Sequence, residues 1–503
     1  MKTPDRTPAA VHRDTHEPRC RGPLVAIVVV LAALLSGLGT HASALEHSHH
    51  AQPPVIAQRA AAALPQGVAA ACEATVYANQ PPALDRLSQQ VNDPPAAVPP
   101  KPAKGTVFRD ASGTCIVRAT AHDSEPPPNF ARNDYSRRQA FNADSSRLLV
   151  YASGGYWHLY DANTLRYVKR LAGPAGDAEP QWHPTDPNTL YYLPGNGGLR
   201  IYALDIRSNV SRVAADFSGR LPWPDANHVW TKDEGSPSAD GRYWGFQAEA
   251  GNAFAIRGFV VYDLVHDHIV GTHATSVRPD HVSMSPSGRW FTSSGDSEGT
   301  WAWSPDFTHK KKLHHKSEHS DLAIGANGHD MYVSIDFQSA RGDVFYIDID
   351  ACPAVDAATP AASVPDCPRT VLFPTYINGA HASTHFSGKA FAKPGWVVVS
   401  TYDTQPTRSG TWPWYTNKVF LMELGANPPL YGVGYHEVTH YAGYWTEPQA
   451  SANRALDRIV FNSNWNTSST DDVDDYMIVL RAGAVPADES PAAAAPLSAD
   501  HAR

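Results

Sequence analysis

This chain is poor in charge, poor in sulfur-containing side chains and nearly devoid of helical periodicity. Only 18% of its 503 residues are charged. No segment longer than about ten residues carries an apolar stripe at helical spacing, which sets a helical bundle aside. Basic charge is scarce too: 41 Lys and Arg stand against 50 Asp and Glu, a net charge of -9. Nucleic acid is therefore not an expected partner, because neutralising phosphates needs a basic face. What abounds is Pro, Tyr and Trp, at 42, 21 and 13 residues. That composition points to a β-rich, turn-rich fold. The length suits one large repeat domain or two ordinary ones.

Long apolar runs are lacking, with one exception. Arg13, Arg19 and Arg21 precede "GPLVAIVVVLAALLSGLG", and the small residues Ala42, Ser43 and Ala44 follow. This reads as an export signal over residues 1–44. The run is somewhat short for a membrane span, while the long region before it leaves a signal anchor open. The expected product is secreted or periplasmic, free of the membrane after cleavage, and monomeric. Of the five cysteines, Cys20 would leave with the signal. The remaining four, Cys72, Cys115, Cys352 and Cys367, suggest two disulfides in an oxidising compartment. Three pairings are open, of which Cys72–Cys115 with Cys352–Cys367 is the most local.

Residues 45–130 are rich in Ala and Pro and are expected to be mostly irregular. "TCIVRATAH" (114–122) is the exception: it alternates like a strand, is open to pinning by Cys115, and offers a strand to the last repeat. The tail 484–503 reads as disordered. Between these ends a strand–turn–strand unit recurs seven times, starting at Phe141, Trp182, Ser236, Ser283, Ala323, Phe386 and Ala450. The starts are 40–64 residues apart, a spacing that suits four-stranded propeller blades with loop insertions. One such unit cannot bury both faces alone, whereas seven packed radially can. The expected fold is all-β, a seven-bladed propeller over 131–483; a pair of β-sandwiches is the alternative. The turns "SPSG" (285–288) and "SADG" (238–241) resemble the S-P-D-G hairpins of TolB-like and WD40-like propellers. That resemblance speaks for fold and says little about function.

Two motifs invite a catalytic reading and lack its context. "YHEVTHYAGYW" (435–445) contains H-E-x-x-H, which in zinc peptidases places His436 and His440 on one helix face with Glu437 beside the metal-bound water. The surrounding glycines and valines make a poor helix, and Thr446 stands where a third histidine ligand would fall. "GDSEG" (295–299) fits G-x-S-x-G, but a nucleophile elbow needs a following helix, and "TWAW" reads as a strand.

A subtler signal lies just before each first hairpin, where innermost strands approach the axis. There stand Arg138 and Gln139; Glu179 and Gln181; Glu234; Asp280 and His281; Glu318, His319 and Asp321; His381 and His385; Glu447 and Gln449. Packing alone would favour apolar residues. Polar groups are costly to bury unless they bind something polar. A water-filled channel lined by solvated groups is the bland reading of the same pattern. Imidazoles with amide or carboxylate oxygens could also hold a divalent metal such as Mn or Zn, or Ca where oxygens dominate.

By position in the repeat, His319, His385 and Gln449 are similar to the metal-ligand set of the oligogalacturonate lyase family, seven-bladed TolB-like propellers. His281 resembles that family's base. The family's Q-x-x-H-x-H string has no counterpart here. The resemblance implies β-elimination at a uronate: a metal neutralises the carboxylate, and a neutral His removes the C5 proton. Arg138 and Arg278 would pair with further carboxylates. The partner would be an acidic polysaccharide or oligosaccharide, met locally because the net charge offers no attraction. Loop aromatics Trp412, Trp414 and Trp445, with His440, are candidates for stacking on or contacting sugar, or else for anchoring loops. "STDDVDDY" (469–476) is a solvated hairpin or a calcium site. The expectation is thus an exported propeller with a polar channel mouth, either a metal-assisted polysaccharide lyase or a non-catalytic glycan- or protein-binding propeller.

Overall fold

The computed structural model describes residues 66–485, apart from 90, 91, 127, 128 and 233. The expected signal (1–44) lies outside the described residues, as does nearly all of the expected tail. Among the described residues no helix is long and apolar enough to cross a membrane.

Seven antiparallel units of four strands follow one another among the described residues; the fourth gains a fifth strand, Val355–Asp356, and the first and last join in one sheet. Their innermost strands are Ala131–Arg132, Gln181–Trp182, Ala226–Trp230, His281–Met284, Ser320–Ile324, His381–Ser387 and Ser451–Ala452. Seven apolar clusters fill the seven gaps between neighbouring blades, including the gap between the last blade and the first, so the ring is closed. The period-2 geometry of a strand explains how one sheet serves two gaps. On the second strand of blade 6, Trp396 and Val398 face blade 7 while Val397 and Val399 face blade 5. Blade 7 repeats the pattern: Ile459 and Phe461 face blade 6, and Val460 faces blade 1. With both faces buried, such strands read as continuous apolar runs rather than as alternation.

Closure uses the N-terminal extension. Cys115–Arg118 pairs antiparallel with Asp474–Val479 and supplies the fourth strand of blade 7. Val107–Arg109 adds a fifth strand outside it. The disulfide Cys72–Cys115 ties this strand to the one α-helix among the described residues, Val68–Thr75, and Cys352–Cys367 closes the loop between the third and fourth strands of blade 5. Irregular though it is, the extension is an ordered strap. The backbone N–H of Leu87 donates to Leu430 at 2.8 Å, and Trp465 Nε1 donates to the Pro99 carbonyl at 2.8 Å. The first of these contacts covers the open edge of blade 6, where unpaired strand groups would otherwise invite association.

Candidate active site

The first blade breaks its innermost strand. After Ala131–Arg132 the chain leaves the sheet, turns over 135–138, and rejoins it at Phe141, which bridges to Leu148. The excursion, residues 133–139, crosses from blade 7 to blade 3. Blade 7 holds both of its ends: the Asn133 N–H donates to Asp475 Oδ1 at 2.6 Å, and Ser451 Oγ donates to the Arg138 carbonyl at 2.6 Å. Blade 3 holds its far side, where Ser236 Oγ donates to the Arg137 carbonyl at 3.0 Å. Burial pushes the Asp475 carboxyl well above the usual range, with Asp474 beside it adding to the rise. Outside this loop, the Arg132 guanidinium lies 4.1 Å from the Trp445 ring centroid and donates to the Asn133 carbonyl at 2.9 Å.

The crossing loop delivers Tyr135 and Arg137 to a cluster drawn from blades 3 to 7. Arg137 Nη1 lies 2.7 Å from Glu234 Oε2 on blade 3 and 2.7 Å from His281 Nε2 on blade 4. Tyr135 meets His385 of blade 6 edge-on, with centroids 5.5 Å apart. His385 stacks on His319 of blade 5 at 4.6 Å and on Tyr402 at 4.8 Å. Its Nε2 is 2.7 Å from Glu447 Oε2 of blade 7, and Tyr441 donates to Glu447 Oε1 at 3.1 Å. His319 Nδ1 lies 2.9 Å from the Thr384 carbonyl. A carbonyl only accepts, so Nδ1 carries the proton and Nε2 keeps its lone pair.

Burial sets the protonation states here. It lowers His319 to about 4, with the neighbouring His385 adding to the effect, and lowers His385 to about 3, aided by Arg137. Both imidazoles are neutral at neutral pH. Burial raises Glu447 from 4.5 to about 7 against the pull of His319 and its hydrogen-bond donors, and it holds the Tyr135 and Tyr402 phenols far above their usual range. Glu447 has its higher pKa in the folded state, so its contribution to stability is complete below 4.5 and is lost as pH rises through about 7. Glu447→Gln is accordingly expected to melt at the wild-type temperature in acid but a few degrees higher at about pH 8. Identical melting curves at the higher pH would contradict the assignment.

Several expected residues lie elsewhere or serve differently. The arginine in the cluster is Arg137; Arg138 turns back onto Asp134. Arg278 is taken by buried Glu249, with Nε 2.5 Å from Oε1. His281 is in the cluster, but its Nε2 accepts from Arg137, which leaves no lone pair there to remove a proton. Glu179, Gln181 and Asp321 are spent on structure, bonding the Thr231 N–H, the Gly235 carbonyl and Lys389. Trp414 is only 2% exposed and packs against Phe373 and Phe420, so it offers no face to a sugar. Trp414→Ala is expected to cost about 3–5 kcal/mol of stability through the cavity left behind; a denaturation midpoint close to wild type would contradict this. Trp412 is half-buried, its carbonyl accepting from Asn92 and Asp93 of the strap, and Trp445 stacks on Phe130. His440 is exposed and bonds Asn466 at 2.7 Å. The rim rings that do face outward are Tyr441 and Tyr444, 43% and 47% exposed.

The H-E-x-x-H stretch forms no helix. His436 is fully buried, its Nε2 donating to the Thr401 carbonyl at 2.7 Å and its Nδ1 accepting from the Val438 N–H at 3.1 Å. With both nitrogens engaged it is a structural residue. "GDSEG" is the hairpin between strands Phe291–Gly295 and Gly299–Trp303.

No family model matches the chain, and no curated protein matches it. Solved structures do. An oligogalacturonate lyase from Vibrio parahaemolyticus aligns over 75% of this chain and 96% of its own, at 12% identity and a TM-score of 0.51. The chain has that protein's propeller fold. An oligogalacturonate lyase in complex with manganese aligns over the same shares, at 15% identity and a TM-score of 0.51. At these identities the likeness is one of architecture.

The manganese of that complex raises the question of whether these residues suit a metal. Among the described residues three groups have His, Asp or Glu donor atoms within 4.8 Å of one another: Glu234, Asp280 and His281; His122, Asp472 and Asp474; and His314, His315 and Asp336. Each already faces a side-chain cation. Arg137 and Lys232 meet the first, Lys101 and Arg118 the second, and Arg369 the third. In the acidic turn at 469–476, Asp472 and Asp474 are thus paired from within the chain. His319, His385 and Gln449 gather in one buried region but do not form a coordination sphere. A metal binds imidazole in the ring plane at about 2.1 Å. The His319 and His385 planes are stacked and inclined by only 18°, so no point lies that close to both nitrogens in both planes. His385 Nε2 is also engaged by Glu447.

Proposed function

We propose that the protein is an exported enzyme that cleaves uronate-containing glycans by β-elimination at the channel mouth. The observation that carries this reading is His319: a neutral imidazole, fixed by the Thr384 carbonyl, with Nε2 left as a lone pair amid buried phenols and a buried guanidinium. In this scheme Nε2 takes the C5 proton of the uronate, and the electron pair of that C–H bond forms the C4–C5 double bond. The C4–O bond breaks, and the departing oxygen takes a proton from Tyr402, whose hydroxyl lies 3.4 Å from His319 Nδ1. Glu447 orients His385, which stacks between His319 and Tyr402. General acid–base help of this kind is worth roughly 100- to 10,000-fold in rate. The two disulfides suit an oxidising compartment.

The likeness in fold to oligogalacturonate lyase supports the choice of substrate class. A panel of pectic and other uronate glycans, followed by the ultraviolet absorbance of the unsaturated product, tests it. Wild-type protein is expected to raise that absorbance on at least one member. Exposed Tyr441 and Tyr444 on the rim favour a second reading, a glycan-binding propeller without turnover. Retention on an immobilised glycan with no absorbance change would select that reading.

A further inference from the structure

The site needs a positive charge for a uronate carboxylate, and a metal has no suitable donor set around the two histidines. Arg137 stands where such a charge is required. It reaches the cluster from the crossing loop and is 5% exposed. Its Nη1 is held by Glu234 and His281, 2.7 Å from each. The described residues that bond or pair with the guanidinium, Glu234 and His281, both do so at Nη1. A guanidinium fixed at one nitrogen is prepared for the planar two-point contact that a carboxylate offers. The local charges agree: Glu234 is matched by Arg137, and Asp280 is matched by Lys232 at 3.2 Å. Burial would raise Asp280, but the hydrogen bond of His281 and the charge of Lys232 hold it well below the usual carboxylate range.

We propose that Arg137 is the cation that binds the substrate carboxylate, so the site takes a uronate residue without a divalent metal. The inference rests on the reading above of a uronate-directed site, and it deepens that reading by naming the recognition group. The crossing loop is then a positioning device: it places one arginine of an adjacent pair in the site and turns the other, Arg138, back onto Asp134.

The test has two arms on the full-length mature protein after dialysis against EDTA. In the first, Mn, Zn and Ca are titrated into the protein by calorimetry. No stoichiometric binding is expected, and a single tight site would overturn the proposal. In the second, trigalacturonate and an oligoglucuronate are titrated in EDTA, with the neutral galactose trimer as control. The wild type is expected to bind at least one acidic probe without metal, and Arg137→Gln to weaken it by about 100-fold, the order expected for loss of a charge-assisted pair. Arg137→Lys keeps the charge against Glu234 and keeps the test decisive if the Gln variant fails to fold; it is expected to lose about tenfold through loss of the fork. Unchanged affinity in a folded Arg137 variant would overturn the proposal. Uronate binding seen only after Mn is added would overturn it too, while leaving the enzyme reading intact. Absence of binding under every condition would remove both.

Discussion

His319→Gln is expected to lower kcat by roughly 100- to 10,000-fold while moving KM little, because the side chain acts on a proton that moves only in the transition state. The Gln amide can still donate to the Thr384 carbonyl and so holds the local structure, but it has no basic lone pair. The pH profile gives a second handle. His319 is lowered to about 4 and Glu447 raised to about 7. Activity should rise as pH passes about 4, where His319 loses its proton. It should fall above about 7, where Glu447 ionises beside a site built for anions. The Glu447→Gln variant should keep the acid limb and lose the alkaline one. A variant at position 319 with wild-type kcat, or a profile indifferent to Glu447, would remove these residues from the chemistry.

The largest expected effect on stability comes from the ring closure. Replacing Cys72 and Cys115 together by Ser is expected to cost about 2–5 kcal/mol. The bond spans 43 residues and pins the strand that completes blade 7. Without it, Cys115–Arg118 still pairs with Asp474–Val479, but the helix Val68–Thr75 and its buried Val68 lose their anchor. Tyr77 is a further link: its hydroxyl donates to the Val479 carbonyl at 2.6 Å and accepts from the Cys115 N–H at 2.8 Å. The Cys352–Cys367 bond spans only 15 residues, so its removal should cost less, about 3 kcal/mol or below. Urea unfolding of the two Ser pairs tests the ranking. Equal midpoints would show that closure does not depend on the strap.

Much of the architecture was legible because a propeller blade is a local object. Each unit carries its own turn residues and apolar strands, and the repeat shows without knowledge of the partners. The strap was less legible, since its order comes from the carbonyls and edges it meets, such as Pro99 against Trp465 and Leu87 against Leu430. Polar residues at the inner strand ends flagged His319, His385, Glu234 and Glu447. The choice between Arg137 and Arg138 was not readable, because a turn over four residues decides which of two neighbours faces the cluster. Trp414 reads as a loop residue and is one, yet the loop folds back to fill the gap between blades 5 and 6. Tyr135 and Tyr402 carry no motif and enter only through ring contacts across blades.

In the proposed chemistry, a buried, metal-free constellation around His319 and Arg137 performs β-elimination on a uronate. Mass spectrometry of the products, with the reaction run in EDTA, tests it most directly. New non-reducing ends one water short of a hydrolysis product are expected with the wild type and not with His319→Gln. Products that have gained water, or an intact glycan across the whole uronate panel, would contradict it.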